Sequence, residues 1–134
     1  METRIRNSFD KQGLMASLNA RLDSIDAGRV VISAPILPET SQQHGFAHAG
    51  LTFSLGDSAA GYSALTTMAE GAEVLTAEMK INLIAPADGE RLVATGEVIK
   101  PGRRLVITRA NVETEYADGR RKLVAVLQGT MVPV

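Results

Sequence analysis

Residues 42–61 read QQHGFAHAGLTFSLGDSAAG, and within them a polar segment passes into a long apolar one. Residues 39–47 are polar and contain glycine, which is typical of a loop. Across residues 48–68 the apolar side chains recur at helical spacing, and one side of the predicted helix carries Leu51, Leu55, Tyr62 and Leu65. At about 1.5 Å per residue this helix spans about 30 Å, and it is the only long helix that the sequence predicts.

The rest of the chain predicts a shorter helix and extended strands. Residues 8–18 have apolar side chains at roughly helical spacing, although Gly13 weakens that helix. In residues 74–84 apolar and polar side chains alternate, which predicts Leu75, Met79 and Ile81 on one face and Thr76 on the other. Turn signals separate the remaining predicted strands, which are residues 20–23, 29–34, 91–100, 104–116 and 122–132.

These elements predict an α+β domain. Short turns make consecutive strands antiparallel, and an antiparallel sheet with one apolar face has to be covered. The helix at residues 48–68 is the only element large enough to cover it. We therefore expect a curved antiparallel sheet wrapped around one central helix, with residues 1–134 forming a single domain.

The composition narrows the range of functions. Fourteen basic residues face fifteen acidic ones, and only five side chains are aromatic, so neither a basic face nor base stacking supports nucleic-acid binding. The chain has no cysteine and two histidines, which argues against a disulfide, a thiolate nucleophile, a metal site or any metal cofactor. The polar N-terminus and the lack of a membrane span predict a cytoplasmic protein that binds no membrane.

Asp57 is a carboxylate in the middle of an apolar helix, and packing against a core does not explain its position. A carboxylate among apolar neighbours is costly unless it is hydrogen-bonded or faces a cleft. The residues on its own helical face are all small, and they are Gly50, Ser54, Ser58 and Gly61. Small residues around one acid let a substrate or another backbone come close. An acid that merely caps a neighbouring loop would explain the same position equally well.

The start of the central helix is a second candidate. The first N–H groups of a helix lack intrahelical partners and attract an oxyanion. His48, Ala49 and Gly50 stand there, and the two small residues would let a substrate carbonyl approach the backbone. Because every helix has such an end, this feature carries little weight alone.

The segment HGFAHAGLTFSLGDSAAGYSA resembles the active-site segment of the PaaI-type acyl-CoA thioesterases of the hotdog superfamily. That family has a His-Gly-Gly turn entering the central helix and an Asp further along it, and His48, Gly50 and Asp57 match these positions. Residues 75–105, LTAEMKINLIAPADGERLVATGEVIKPGRRL, resemble the family's next two strands. Ala49 replaces the first glycine of the turn, but it keeps the backbone N–H.

The resemblance implies a role for each matching residue. The N–H of Ala49 would be the oxyanion donor, helped by the side chain of Gln42. Asp57 would be the general base or the nucleophile, and Thr76 would help to orient the water. The substrate would be an acyl-CoA and no cofactor would be required; candidate substrate-binding residues are His48, Gly50, Ser58, Arg103 and Arg104. The arginines follow a Pro-Gly turn, where they could meet CoA phosphates or simply remain solvated.

Spacing adds a constraint on this site. Asp57 lies eight residues beyond Ala49, which is about 12 Å along one helix. A base and an oxyanion donor that serve one carbonyl must be closer than that. One subunit therefore cannot supply both groups, and we expect a site shared between two chains. Hotdog relatives are similarly built as dimers, often paired into tetramers.

Two other functions stay open at this level. A hotdog hydratase or dehydratase would act on similar thioesters, but it usually pairs a His with an acid in motifs that are absent here. A non-catalytic acyl-CoA-binding domain would resemble a sensor, although such domains are usually fused to a DNA-binding segment. The acyl group itself, aryl or fatty, is not given by the sequence.

Overall fold

The computed structural model describes residues 1–134, and its central feature is the helix that the sequence predicts. This helix, α3, spans Ala49–Leu65. Residues 66–68, which the sequence predicts to be helical, form turns instead. Its predicted buried side is confirmed, because Leu51, Leu55, Tyr62 and Leu65 are each at most 3% exposed. None of the helices is both long enough and apolar enough to cross a membrane.

Six strands form one antiparallel sheet in the order β1-β2-β4-β5-β6-β3. The strands are β1 Arg21–Asp26, β2 Arg29–Pro35, β3 Val74–Leu83, β4 Arg91–Lys100, β5 Val106–Glu115 and β6 Arg121–Pro133. The predicted α+β hotdog fold, with the sheet wrapped around one helix, is confirmed. The sequence predicts that the fifth strand starts at Arg104, but β5 begins at Val106, and both Arg103 and Arg104 lie in the preceding turn.

Close backbone contact fixes where α3 lies on the sheet. A Cβ at Gly96 of β4 would lie 2.2 Å from the carbonyl carbon and oxygen of Ala59. A Cβ at Gly56 of α3 would lie 2.8 Å from the side chain of Leu127 on β6. Helix and sheet can approach this closely only because both positions lack a side chain.

The prediction of a single helix at residues 8–18 is wrong. Two helices occupy the N-terminus instead, α1 Glu2–Asp10 and α2 Gly13–Ser17. Ile5 and Phe9 are buried one turn apart, so the apolar stripe of α1 begins earlier than predicted. Gln12 is extended, with φ −78° and ψ 104°, and it separates the two helices.

Strand β3 departs from the strict alternation that its sequence predicts. Its register with β6 shifts between Thr76 and Glu78, where Ala77 forms a bulge. The bulge brings Thr76 onto the face toward α3, together with Met79 and Ile81, and it leaves Leu75 on the other face with 57% of its surface exposed. The predicted placement of Thr76 opposite Met79 is therefore wrong.

Candidate active site

Asp57 is held near the middle of α3 at the edge of the core. Its Oδ1 accepts a hydrogen bond from the hydroxyl of Thr76 over 2.7 Å. The carboxylate is half-buried, and no Lys, Arg or His nitrogen lies within the 4.0 Å of an ion pair. Burial raises the pKa of Asp57 above the usual value, and the Thr76 hydrogen bond offsets part of that rise. Asp57 is thus a carboxylate with increased basicity and no compensating cation.

A cavity of about 320 Å³ opens beside this carboxylate. Asp57, Ser58 and Gly61 of α3 form one wall, and Val74, Leu75 and Thr76 of β3 form another. The N-terminal segment closes the cavity with Ser8 and Gln12. Of the four small residues predicted around Asp57, Ser58 and Gly61 border this cavity.

At the start of α3 the first-turn N–H groups have different partners. Nδ1 of His48 accepts the N–H of Gly50 over 2.7 Å, so His48 caps the helix through its ring. The N–H groups of Leu51 and Thr52 both donate to the carbonyl of His48. The N–H of Ala49 has no acceptor in the protein and is exposed. It is the one N–H of the first turn that is free to bind a ligand oxygen.

Gln42 lies beside this helix start with its amide fixed in one orientation. Its Oε1 accepts hydrogen bonds from the backbone N–H groups of His44, at 2.6 Å, and Phe46, at 3.2 Å. Two N–H donors require the oxygen in that position, so the Nε2 group of Gln42 must be the free end. The loop thereby presents an amide donor near the free N–H of Ala49.

A second cavity, of about 330 Å³, contains this end of the helix. Gln42, His48 and Ala49 line it. Its other walls are mostly apolar and include Phe46, Leu83, Ala85, Pro86, Ala87 and Val124. These two open cavities differ in their polar groups, because the first contains a carboxylate and the second contains the free N–H of Ala49 and the amide of Gln42.

The structure divides the predicted site residues between these two places. Asp57, Ser58 and Thr76 lie together at the first cavity, and Gln42, Ala49 and His48 lie together at the second. Gly50 is in the first turn of α3, with its N–H already used by His48. Arg103 and Arg104 line neither cavity, are exposed and form no ion pair.

One group of polar residues was missed by the sequence interpretation. Ser8 and Gln12 both contact the hydroxyl of Tyr62 at the first cavity. The residues are 54 and 50 positions apart from Tyr62, so no local pattern connects them. The sequence predicts Tyr62 only on the apolar side of the central helix.

Comparison with known proteins gives the family. A family model described as the thioesterase superfamily matches residues 44–117. A thioesterase family protein from Silicibacter pomeroyi has a solved structure that is 41% identical, with a TM-score of 0.96 over 99% of this chain and 97% of that one. Human acyl-coenzyme A thioesterase 13 is 33% identical over 105 residues, which is 78% of this chain and 72% of the human protein.

The PaaI protein of E. coli gives a more distant match. Its structure has a TM-score of 0.83 at 20% identity, over 96% of this chain and 89% of that one, and this likeness concerns the fold. Together these matches confirm the resemblance to PaaI-type hotdog thioesterases that residues 44–64 indicate. The chain belongs to the thioesterase superfamily, and it is a thioester hydrolase.

Proposed function

We propose that the protein hydrolyses an acyl-CoA to the free acid and CoA, with Asp57 as the general base or the nucleophile. The observation that carries this proposal is the Asp57 carboxylate, half-buried beside an open cavity, oriented by Thr76 and without a cation. A base works best when its pKa lies nearer the working pH, and burial moves the pKa of Asp57 in that direction. The similarity to human acyl-coenzyme A thioesterase 13 supports CoA as the thiol.

The proposed active site is completed by a second copy of the chain. Asp57 and Ala49 are about 12 Å apart along α3, too far for both to serve one carbonyl within the same chain. Strand β3 supports pairing between copies because it is an unpaired edge of ten residues that exposes Leu75 at 57% and Leu83 at 54%. Such an edge is normally covered. We place two copies edge to edge, with antiparallel α3 helices, as a dimer that is able to pair again into a tetramer.

The reaction then follows from the positions of the donors and the base. The thioester carbonyl oxygen accepts the N–H of the partner subunit's Ala49 and the amide of the partner subunit's Gln42, which stabilise the negative charge that develops on it. Asp57 takes a proton from water as the water oxygen attacks the carbonyl carbon, or it attacks that carbon itself and water cleaves the resulting anhydride. Collapse of the tetrahedral intermediate expels the CoA thiolate.

Thr76 has a narrower role in this scheme than the resemblance implies. Its hydroxyl hydrogen is already donated to Oδ1 of Asp57, so Thr76 orients the carboxylate and leaves Oδ2 to receive the proton. A water could still donate a hydrogen bond to Oγ1 of Thr76. His48 keeps the N–H of Gly50 occupied, which directs the carbonyl to Ala49.

The remaining substrate contacts belong to the same proposal. Ser58 lines the cavity one residue beyond Asp57, where it would border the acyl group. Arg103 and Arg104 are exposed without acidic partners, so both guanidinium groups are available to CoA phosphates. We also propose that residues 1–134 form a single domain. We propose a cytoplasmic location because the chain has no cysteine and because acyl-CoA substrates would be available there.

The test is thiol release from a panel of aromatic and aliphatic acyl-CoAs by the wild type and by Asp57→Ala. We expect kcat/KM to fall by about a hundredfold or more in the variant. Asp118→Ala is the control, because Asp118 is an exposed carboxylate on the turn between β5 and β6. Activity of a folded Asp57→Ala within a few-fold of the wild type would overturn the assignment. Tight binding of acyl-CoA with no thiol release would indicate a sensor.

A further inference from the structure

The cavity at the start of α3 contains a buried hydroxyl that the proposed mechanism does not use. Thr52 is 1% exposed and lines this cavity. Its side chain makes no hydrogen bond within the chain, whereas Ser54 and Ser63 of the same helix donate their hydroxyls to carbonyls of the preceding turn. A buried polar group without a partner is uncommon, so the Thr52 hydroxyl calls for a ligand group that enters the cavity.

The backbone explains why this hydroxyl stays free. A helical threonine can turn its hydroxyl to the carbonyl one turn earlier, which for Thr52 is the carbonyl of His48. That carbonyl already accepts the N–H of Leu51, over 3.0 Å, and the N–H of Thr52 itself, over 3.3 Å. Both of its lone pairs are thereby used. The Thr52 hydroxyl keeps one hydrogen to donate and two lone pairs that accept.

Thr52 lies close to the point where the thioester carbonyl is proposed to bind. It follows Ala49 by three residues, so the two share one face of α3 and are separated by a rise of about 4.5 Å along the helix. In CoA, two methylene groups separate the sulfur from the first amide of the pantetheine arm. A thioester whose carbonyl binds the N–H of Ala49 can therefore place that amide beside Thr52.

The lining of this cavity suits an aliphatic arm that carries amides. Its walls are mostly apolar, and no lysine, arginine or carboxylate lines it. Apart from Gln42 and His48, which the mechanism uses, its polar side chains are Thr52 and Gln43. Thr52 is buried and Gln43 is exposed, so one belongs to the inner part of the cavity and the other to its mouth. An uncharged arm that runs from the helix to solvent would pass both.

We propose that the Thr52 hydroxyl binds the first amide of the pantetheine arm and thereby positions the thioester at Ala49. This inference rests on the proposed function, because it assumes that the thioester carbonyl binds Ala49 and Gln42 at this cavity. The contact selects thioesters whose thiol carries an amide two carbons from the sulfur. Thr52 binds the thiol half of the substrate and does not touch the reacting carbon.

The test compares two thioesters of one acyl group that differ only in the thiol. N-acetylcysteamine supplies the amide, and isohexyl thiol has the same shape without it. Thr52→Val keeps the shape of the side chain and removes its hydroxyl. We expect the ratio of kcat/KM for the amide thioester to that for the alkyl thioester to fall by about tenfold in this variant, the size of one hydrogen bond. The loss should appear as a higher KM for the amide thioester with kcat little changed, because the arm is bound equally in the ground state and the transition state.

Two variants control for packing. Thr52→Ser retains the hydroxyl and should keep the wild-type ratio. Thr67→Val makes the same substitution at a threonine that lines neither cavity and donates to the carbonyl of Ala64, and it should also keep the ratio. An unchanged ratio in Thr52→Val overturns the role of Thr52 and leaves the hydrolase assignment intact. If valine lowers the Tm, Thr52→Ala gives the same decision, because a ratio between two substrates does not depend on the folded fraction.

Calorimetric titration with CoA separates this inference from the proposed function, because it needs no turnover. If the wild type hydrolyses neither of the two thioesters, binding decides the role of Thr52. If it also releases no thiol from the acyl-CoA panel, the proposed function is wrong as well. In either case we expect Thr52→Val to weaken the Kd of CoA by about tenfold. An unchanged Kd, or no binding of CoA by the wild type, would overturn the inference.

Discussion

The hydroxyl of Thr76 donates to Oδ1 of Asp57 over 2.7 Å, and this bond joins the edge strand β3 to the central helix α3. The bond exists because the bulge at Ala77 turns Thr76 toward the helix. It stabilises the ionised form of a carboxylate whose pKa burial otherwise raises. Thr76 therefore orients Asp57 and limits the rise of its pKa that burial causes.

Replacing Thr76 with valine tests this relation, since valine has nearly the same shape and no donor. Loss of the hydrogen bond raises the pKa of Asp57 further, so the acid limb of the pH profile of kcat/KM should move to higher pH. At neutral pH we expect activity to fall by about threefold to tenfold. Thr76→Ser keeps the hydroxyl and should reproduce the wild-type profile. Superimposable profiles for Thr76→Val and the wild type would contradict the role given to Thr76.

Asp57→Asn should stabilise the protein while it removes activity. Because burial raises the pKa of Asp57, the native protein binds more protons than the unfolded chain between the ordinary and the raised pKa. Stability therefore falls as the pH rises through that window, and the ionised Asp57 is a cost at neutral pH. We expect the Tm of Asp57→Asn to exceed that of the wild type by a few degrees at neutral pH. The difference should shrink as the pH falls to about 4, and a lower Tm for the variant at neutral pH would contradict the sign.

Ala49→Pro removes the free N–H of the first turn with little strain on the helix. Proline is favoured at the first helical position, and His48 before it is already extended, with φ −64° and ψ 144°. We expect kcat to fall by about a hundredfold or more, as for the loss of an oxyanion donor, with the Tm nearly unchanged. Ala49→Gly retains the N–H and serves as the control. Equal activity of the proline and glycine variants would show that the N–H has no part in catalysis.

Gly96→Val tests whether close backbone contact fixes the position of the central helix on the sheet. A Cβ at Gly96 would meet the backbone of Ala59, which cannot move without displacing α3. We expect the free energy of unfolding to fall by about 3 kcal/mol or more. Gly13→Ala is the matched control, because a Cβ there has no neighbour within 4 Å, and it should change stability by less than about 1 kcal/mol. Chemical denaturation of the two variants makes the comparison.

Much of this architecture follows from local sequence patterns. The 3.6-residue period of α3 and the turns between strands are local signals, so the helix, the strands and their antiparallel order are predictable. The isolated acid at Asp57 and the small residues around it are also visible in the sequence. The cavity beside Asp57 is consistent with the space that such small residues leave around the carboxylate.

Other parts depend on contacts that no local pattern encodes. The alternation in β3 is strong, but its pairing with β6 forces a bulge at Ala77 and moves Thr76 to the opposite face. Gln12 contacts Tyr62 across 50 residues of chain. The N–H of Gly50 is occupied because the His48 ring turns back toward it, and this leaves Ala49 as the one residue of the first turn with a free N–H. The bounds of the N-terminal helix are also not predicted correctly. Ile5 packs into the core, so the helix begins earlier in the chain than the spacing of its apolar residues indicates.

The shared site is tested most directly by combining two inactive variants. Asp57→Asn and Ala49→Pro damage opposite halves, so a dimer of either variant alone has no intact site. Co-expression with different tags should give mixed dimers in which Asp57 of one chain meets Ala49 of the other once. With random assortment, about half of the dimers are mixed and each has one intact site, so the account predicts recovery of about a quarter of the wild-type kcat. Activity no higher than the mean of the two separate variants would contradict a site built from two chains.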